Sequence, residues 1–155
     1  MNLVLFLKSY LDWLVLGVLG TMSLTMTTFV IERYIYYSRV DLLKFRNLEE
    51  LDLALTHGLT IIATIGTNAP YIGLLGTVLA ILVAFYDIGQ SGNIETTTMM
   101  TGLALALKST ALGLLVAIPS LAFYNALLRR TEVLKVRWRA MDTSAVTHER
   151  SKREA

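Results

Sequence analysis

Leu59-Thr60-Ile61-Ile62-Ala63-Thr64-Ile65-Gly66-Thr67-Asn68-Ala69-Pro70-Tyr71-Ile72-Gly73-Leu74-Leu75-Gly76-Thr77-Val78-Leu79-Ala80-Ile81-Leu82-Val83-Ala84-Phe85-Tyr86 contains no Asp, Glu, Lys or Arg. A hydrocarbon core roughly 30 Å thick is crossed by about 20 helical residues, so this run spans a membrane with length to spare for tilt. A second run, Thr96 to Leu128, carries only Lys108. A third lies between Asp12 and the pair Glu32-Arg33. Composition agrees: of 155 residues, 54% are hydrophobic and 17% charged, where soluble domains carry roughly 25% charged. A compact soluble enzyme is excluded. With no cysteine, disulfide frameworks, thiolate metal sites and cysteine nucleophiles go too. The sequence predicts an all-α membrane protein with three transmembrane helices, at 13–31, 59–86 and 97–128.

The flanking segments set the topology. Residues 1–12 read as an amphipathic segment at the interface, with Leu3, Leu7 and Leu11 at helical spacing. They lack the basic start and small-residue cleavage site of a signal peptide. Arg33, Arg39, Lys44 and Arg46 lie between the first two spans; Arg129, Arg130, Lys135, Arg137, Arg139, Arg150, Lys152 and Arg153 follow the third. On the other side stands Lys8 alone, and the 87–96 loop has no basic residue. The positive-inside rule therefore places the N-terminus and that loop in the periplasm, with segment 32–58 and tail 129–155 in the cytoplasm. Arg129, Arg130, Lys135, Arg137 and Arg139 read as topology signals that also attract anionic headgroups; nucleic acid is not needed to explain them. The short loop makes the second and third spans antiparallel neighbours. Asn47–Leu55 has helical propensity. The third helix is expected to run on into the cytoplasm, fading over Thr143–Ala155.

The spans are patterned rather than monotonous. Gly76, Ala80 and Ala84 recur every fourth residue, with Thr77 one turn from Gly73; Ala104, Ser109, Thr110, Gly113 and Ala117 give the third span a similar face. Packing within the chain explains most of these positions, and small faces on more than one helix suggest an oligomeric helical bundle. Pro70 and Pro119, the only prolines, each remove a backbone donor and can kink a helix near a cytoplasmic boundary. No Asp, Glu or His falls inside a span; His57 and His148 are isolated. There is no phosphate-cradling loop, no Ser/His/Asp set and no carboxylate cluster, so no catalytic residue, metal site or cofactor is expected. Any proton conduction must use hydroxyls such as Thr77 and Thr110, water, and a titratable group from another chain.

Lys108 stands apart. It lies roughly 16 Å inward from Thr97 at 1.5 Å per residue, and an ammonium left there costs at least about 2.5–3.5 kcal/mol. Being two residues apart, Lys108 and Thr110 project to opposite sides. Thr21, Ser23, Thr25, Thr27 and Thr28 of the first span are candidate acceptors at similar depth. Two readings stay open: a packed lysine bonded to such groups, or a charge that sets a partner contact or tunes a proton path.

Ala69-Pro70-Tyr71-Ile72-Gly73-Leu74-Leu75-Gly76-Thr77-Val78 and Ser109-Thr110-Ala111-Leu112-Gly113-Leu114-Leu115-Val116-Ala117-Ile118-Pro119, followed by Tyr124-Asn125, resemble the ExbB/TolQ group of the MotA/TolQ/ExbB proton-channel family. The resemblance covers nearly the whole chain. It implies a homopentamer in a Gram-negative inner membrane, surrounding the helices of an ExbD-like partner whose membrane Asp carries the proton. In the ExbB branch the complex drives a TonB-like protein, energising outer-membrane import of siderophores, cobalamin and similar cargo. A TolQ-like role in envelope maintenance and a non-conducting scaffold are the alternatives. Thr77 and Thr110 match the family's two pore-facing threonines. Leu105 stands where the family often has Glu, and Ala80 where it often has Gly. The segment after the first span is short.

Overall fold

The computed structural model describes residues 2–91 and 96–154; the described side chains leave out 2–9, 12, 91, 96, 98, 99, 105 and 144–154. Four helices account for the described chain: α1 (Asn2–Arg39), α2 (Leu48–Thr56), α3 (Leu59–Ser91) and α4 (Thr96–Glu154), with one 3-10 turn at Leu42–Lys44. Among the described residues, Trp13–Arg39, Leu59–Gln90 and Met100–Thr143 hold stretches long and apolar enough to cross a membrane.

The antiparallel pair α3–α4 forms the body of the fold. Its seam is built from small residues, because only these let two helix backbones meet. Gly102 packs against Ala84, Gly76 against Ser109, Gly73 against Gly113 and Gly66 against Leu121. Further along, the buried Ser120 hydroxyl donates to the Ile62 carbonyl at 2.8 Å. Helix α1 lies across both, burying Leu11, Val15, Leu19 and Met26 in a core shared with Ile62, Ile65 and Ala69 of α3 and Val116, Ala117 and Leu127 of α4. Along the spans many large apolar side chains face outward: Trp13 is 76% exposed, and Leu75, Ile118 and Leu115 are also exposed. A surface of that kind suits lipid or another apolar chain.

Short α2 is held at both ends. The Asn47 side chain accepts from Glu50 N at 2.7 Å, and the Glu50 carboxylate accepts from Arg46 N at 3.2 Å, satisfying donors that a helix start leaves open. At the other end Arg33 Nη1 donates to the Ala54 carbonyl at 3.1 Å and Tyr37 OH to the Leu55 carbonyl at 2.6 Å. Cationic and hydroxyl donors there suit the negative end of the helix dipole. The chain then reverses at Gly58, whose φ of +75° favours glycine. A β-carbon at Gly58 would also lie 2.9 Å from the Phe29 ring.

Several boundaries differ from the sequence expectation. Residues 2–12 are not a separate segment but the first turns of α1. The expected 87–96 loop is helical through Ser91, and residues 92–95 lie outside the described residues. Gln90 supports that last stretch by donating to Tyr86 OH at 3.2 Å, one turn back. Helix α4 does not fade at Thr143 but runs to Glu154, since Glu, Arg and Lys are good helix formers even without tertiary packing. Pro70 and Pro119 sit inside continuous helices.

Candidate functional site

Where α3 and α4 come closest, two hydroxyls meet. A β-carbon on Gly73 would come within 2.7 Å of the Ser109 carbonyl oxygen, and one on Gly113 within 2.7 Å of the Ala69 carbonyl oxygen. No larger residue fits at that separation without moving a backbone. The approach brings Thr77 Oγ1 to 2.6 Å from Thr110 Oγ1. Around the pair, the Ala106 carbonyl lies 3.0 Å from Thr77 Oγ1, and the Gly73 carbonyl 3.3 Å from Thr77 Oγ1 and 3.4 Å from Thr110 Oγ1. Thr77 is buried and Thr110 half-buried.

Each hydroxyl has one proton, so the pair has two self-consistent arrangements. Thr110 donates to Thr77 while Thr77 donates to the Ala106 carbonyl. Alternatively Thr77 donates to Thr110 while Thr110 donates to the Gly73 carbonyl. Rotating both hydroxyls converts one chain of hydrogen bonds into its reverse. Such a pair can relay a proton or orient a water, and it cannot hold a charge of its own.

The other expected site residues fall into separate places. Gly76 accommodates Val15 of α1 as well as Ser109. Ala80 is half-buried and packs against the core. Lys108 is exposed on α4. The acceptors expected for it lie elsewhere. Val15 and Ser109 both meet Gly76, so Lys108 is level with the beginning of the first span; Thr21 and Thr28 follow Val15 by 6 and 13 residues, roughly 9 and 20 Å farther toward the cytoplasm. Thr21, Thr25, Thr27 and Thr28 instead donate to the carbonyls of Val18, Thr21, Ser23 and Leu24. The side chain of Leu105 lies outside the described residues.

Two basic residues read as topology signals have specific partners. Arg33 is buried: besides its bond to Ala54, it contacts the Glu32 carboxylate at 2.5 Å and lies 4.9 Å over the Tyr36 ring. Lys135 bridges α4 to α2, with Nζ 2.5 Å from Asp52 Oδ1 and 3.0 Å from Glu132 Oε1. The Asp52 contact is an ion pair and not an aligned hydrogen bond. These carboxylates, Asp52 first, raise the Lys135 pKa against the opposing effect of burial. Arg130 stacks 4.9 Å over the Tyr34 ring; Arg129, Arg137 and Arg139 are exposed. Sequence reasoning missed the Arg33 and Tyr37 caps, and counting basic residues by compartment could not reveal them.

A model of the MotA/TolQ/ExbB proton channel family matches residues 41–140, a stretch that contains both threonines and the whole α3–α4 seam. The chain belongs to that family. Among individual relatives, it is 55% identical over 137 residues to a biopolymer transport protein ExbB of Helicobacter pylori, covering 88% of this chain and 94% of the relative. It is 46% identical over 135 residues to one of Aquifex aeolicus, covering 87% and 91%. A putative ExbB-like 2 protein of Helicobacter pylori is 44% identical over 132 residues, covering 85% and 88%. Thr77 and Thr110 are two described hydroxyls that meet each other across the α3–α4 seam.

Proposed function

We propose that this chain is the ExbB-type subunit of a proton-driven motor in a Gram-negative inner membrane, and that Thr77 and Thr110 line its proton path. Several copies, five on the family pattern, surround the membrane helices of an ExbD-like protein. The assembly energises a TonB-like protein for import across the outer membrane. The N-terminus is periplasmic and the C-terminus cytoplasmic. The relatives named ExbB favour this reading over a TolQ-type role.

The single observation that carries it is the 2.6 Å Thr77–Thr110 contact. A reversible hydroxyl pair at the level of two mutually pressed glycines passes or orients protons without storing charge. A titrating carboxylate must then come from the partner. Burial of Thr77 within the seam, with Thr110 only half-buried, makes Thr110 the hydroxyl the partner's acid or a water reaches first.

The test is acid-driven proton uptake into liposomes holding the chain with its ExbD-like partner. Conduction by the pair, and its reduction by Thr110→Val at unchanged complex mass, is the expected result. A wild-type complex that carries no protons, or a Thr110→Val complex as active as wild type, overturns the reading.

A further inference from the structure

A groove of about 490 Å³ lies between α1 and α4, walled by Thr27, Ile31, Phe123 and Ala126, with Tyr34 and Arg130 at one end. That volume falls within the roughly 300–1,000 Å³ of small-molecule sites. Ala126 stands between the larger Phe123 and Arg130, about one turn to either side, and its short side chain leaves the hollow. Thr27 lies five residues inside Glu32, roughly 8 Å at 1.5 Å per residue. Arg130 stands just past Leu128, where the third apolar run ends. The groove therefore extends from headgroup level into the hydrocarbon.

The polar end is suited to an anion. The Arg130 guanidinium lies 4.9 Å over the Tyr34 ring; stacking occupies its face and leaves the N–H donors along its edge for an acceptor. Among the described residues, carboxylates neutralise Arg33 and Lys135, but none pairs with Arg130. The adjacent Arg129 is exposed, so this rim carries uncompensated positive charge. A guanidinium fork matches two phosphate oxygens, and basic pockets between transmembrane helices on the cytoplasmic side bind anionic headgroups. A neighbouring helix fits the hollow less well. Backbones approach where small residues receive them, and here exposed Ile31 and Phe123 stand at the walls. A flexible acyl chain can follow such walls.

We propose that this groove binds one anionic phospholipid of the cytoplasmic leaflet, with its phosphate on the Arg130 edge and one acyl chain laid over Ala126 between α1 and α4. The inference rests on the membrane orientation proposed above, and it assigns a ligand to a site separate from the hydroxyl pair. By touching both helices the lipid ties the cytoplasmic end of α1 to α4, close to the Arg33 cap on α2.

The test uses the full chain with its ExbD-like partner, purified in mild detergent, with bound lipid read by native mass spectrometry. Phosphatidylglycerol is expected to be held about tenfold more tightly than phosphatidylcholine, whose own cation competes for the phosphate; tenfold is the scale of one charge-assisted contact. Arg130→Gln removes that preference, while Arg137→Gln, two turns farther along α4 and also exposed, keeps it. Ala126→Phe fills the hollow and weakens both lipids at unchanged complex mass. Equal retention of the two lipids by wild type overturns the proposal, as does a preference lost equally in Arg137→Gln. Displacement of phosphatidylglycerol by inorganic phosphate alone makes this a soluble-anion site and overturns it too. So does unchanged lipid binding in Ala126→Phe; a smaller complex in that variant assigns the groove to a contact between copies. None of these readouts involves conduction. A complex that carries protons without the lipid preference loses only the lipid site, and one that holds phosphatidylglycerol without carrying protons loses only the channel reading.

Discussion

Gly113 is pressed directly onto Gly73: a β-carbon added to Gly113 would lie 3.0 Å from the Gly73 Cα and 2.7 Å from the Ala69 carbonyl oxygen. The contact fixes the α3–α4 spacing, and the Thr77–Thr110 distance follows from it. Gly73→Ala or Gly113→Ala is therefore expected to cost about 1–3 kcal/mol, the usual price of overpacking, and to lower proton flux by separating the hydroxyls. Gly17→Ala, where an added β-carbon meets nothing within 4 Å, is expected to leave stability unchanged or slightly higher. Thermal unfolding in detergent compares the three variants.

Removing one hydroxyl of the pair acts on conduction more than on the fold. Thr110→Val keeps the shape of the side chain, and its hydroxyl serves no contact that holds two helices except the bond to Thr77 and the long one to Gly73. The expected drop in proton flux is roughly tenfold, the effect of about 1.4 kcal/mol on a barrier. Thr110→Ser, which retains the hydroxyl, should recover most of the rate. Flux in liposomes normalised to complex content measures both.

The caps on α2 give a third expectation. Tyr37→Phe leaves the Leu55 carbonyl without its 2.6 Å donor, at a cost of about 1–3 kcal/mol for a buried group. Arg33→Met should cost at least as much, since it strips the Ala54 carbonyl and the contacts to Glu32 and Tyr36 together. Limited proteolysis between Arg39 and Leu59 reads the loosening: both variants are expected to be cut faster than wild type.

The raised pKa of Lys135 makes one stabilising contact depend on pH. The folded value lies above the unfolded one, so the contribution is complete below about pH 10.4, the ordinary lysine value. It is lost as pH rises through the folded value. Unfolding temperature measured across the alkaline range should fall more steeply for wild type than for Lys135→Met. Equal slopes would show that the bridge to Asp52 contributes nothing.

The three spans and the antiparallel pairing of α3 with α4 were legible because charge-free runs and a short loop leave few alternatives. The glycines of the seam were legible as a small face, although which residue met which was not: Gly76 could have faced any helix, and only the fold sets Val15 against it. Thr77 and Thr110 could be named from the motifs. Their contact could not, because it depends on the register of two helices 33 residues apart in sequence. Arg33 and Lys135 misled for one reason. A basic residue near a membrane boundary carries the same topology signal whether it points to headgroups or folds back onto a carbonyl or carboxylate.

Helix α4 is unbroken from Thr96 to Glu154. From Thr110 to its tip it measures roughly 66 Å at 1.5 Å per residue. Treated as a rigid rod pivoting near the hydroxyl pair, a tilt of about 5° sweeps the far end through roughly 6 Å. Sub-ångström adjustments between two hydroxyls thus have a built-in amplifier, with the cytoplasmic end as the pointer on its dial.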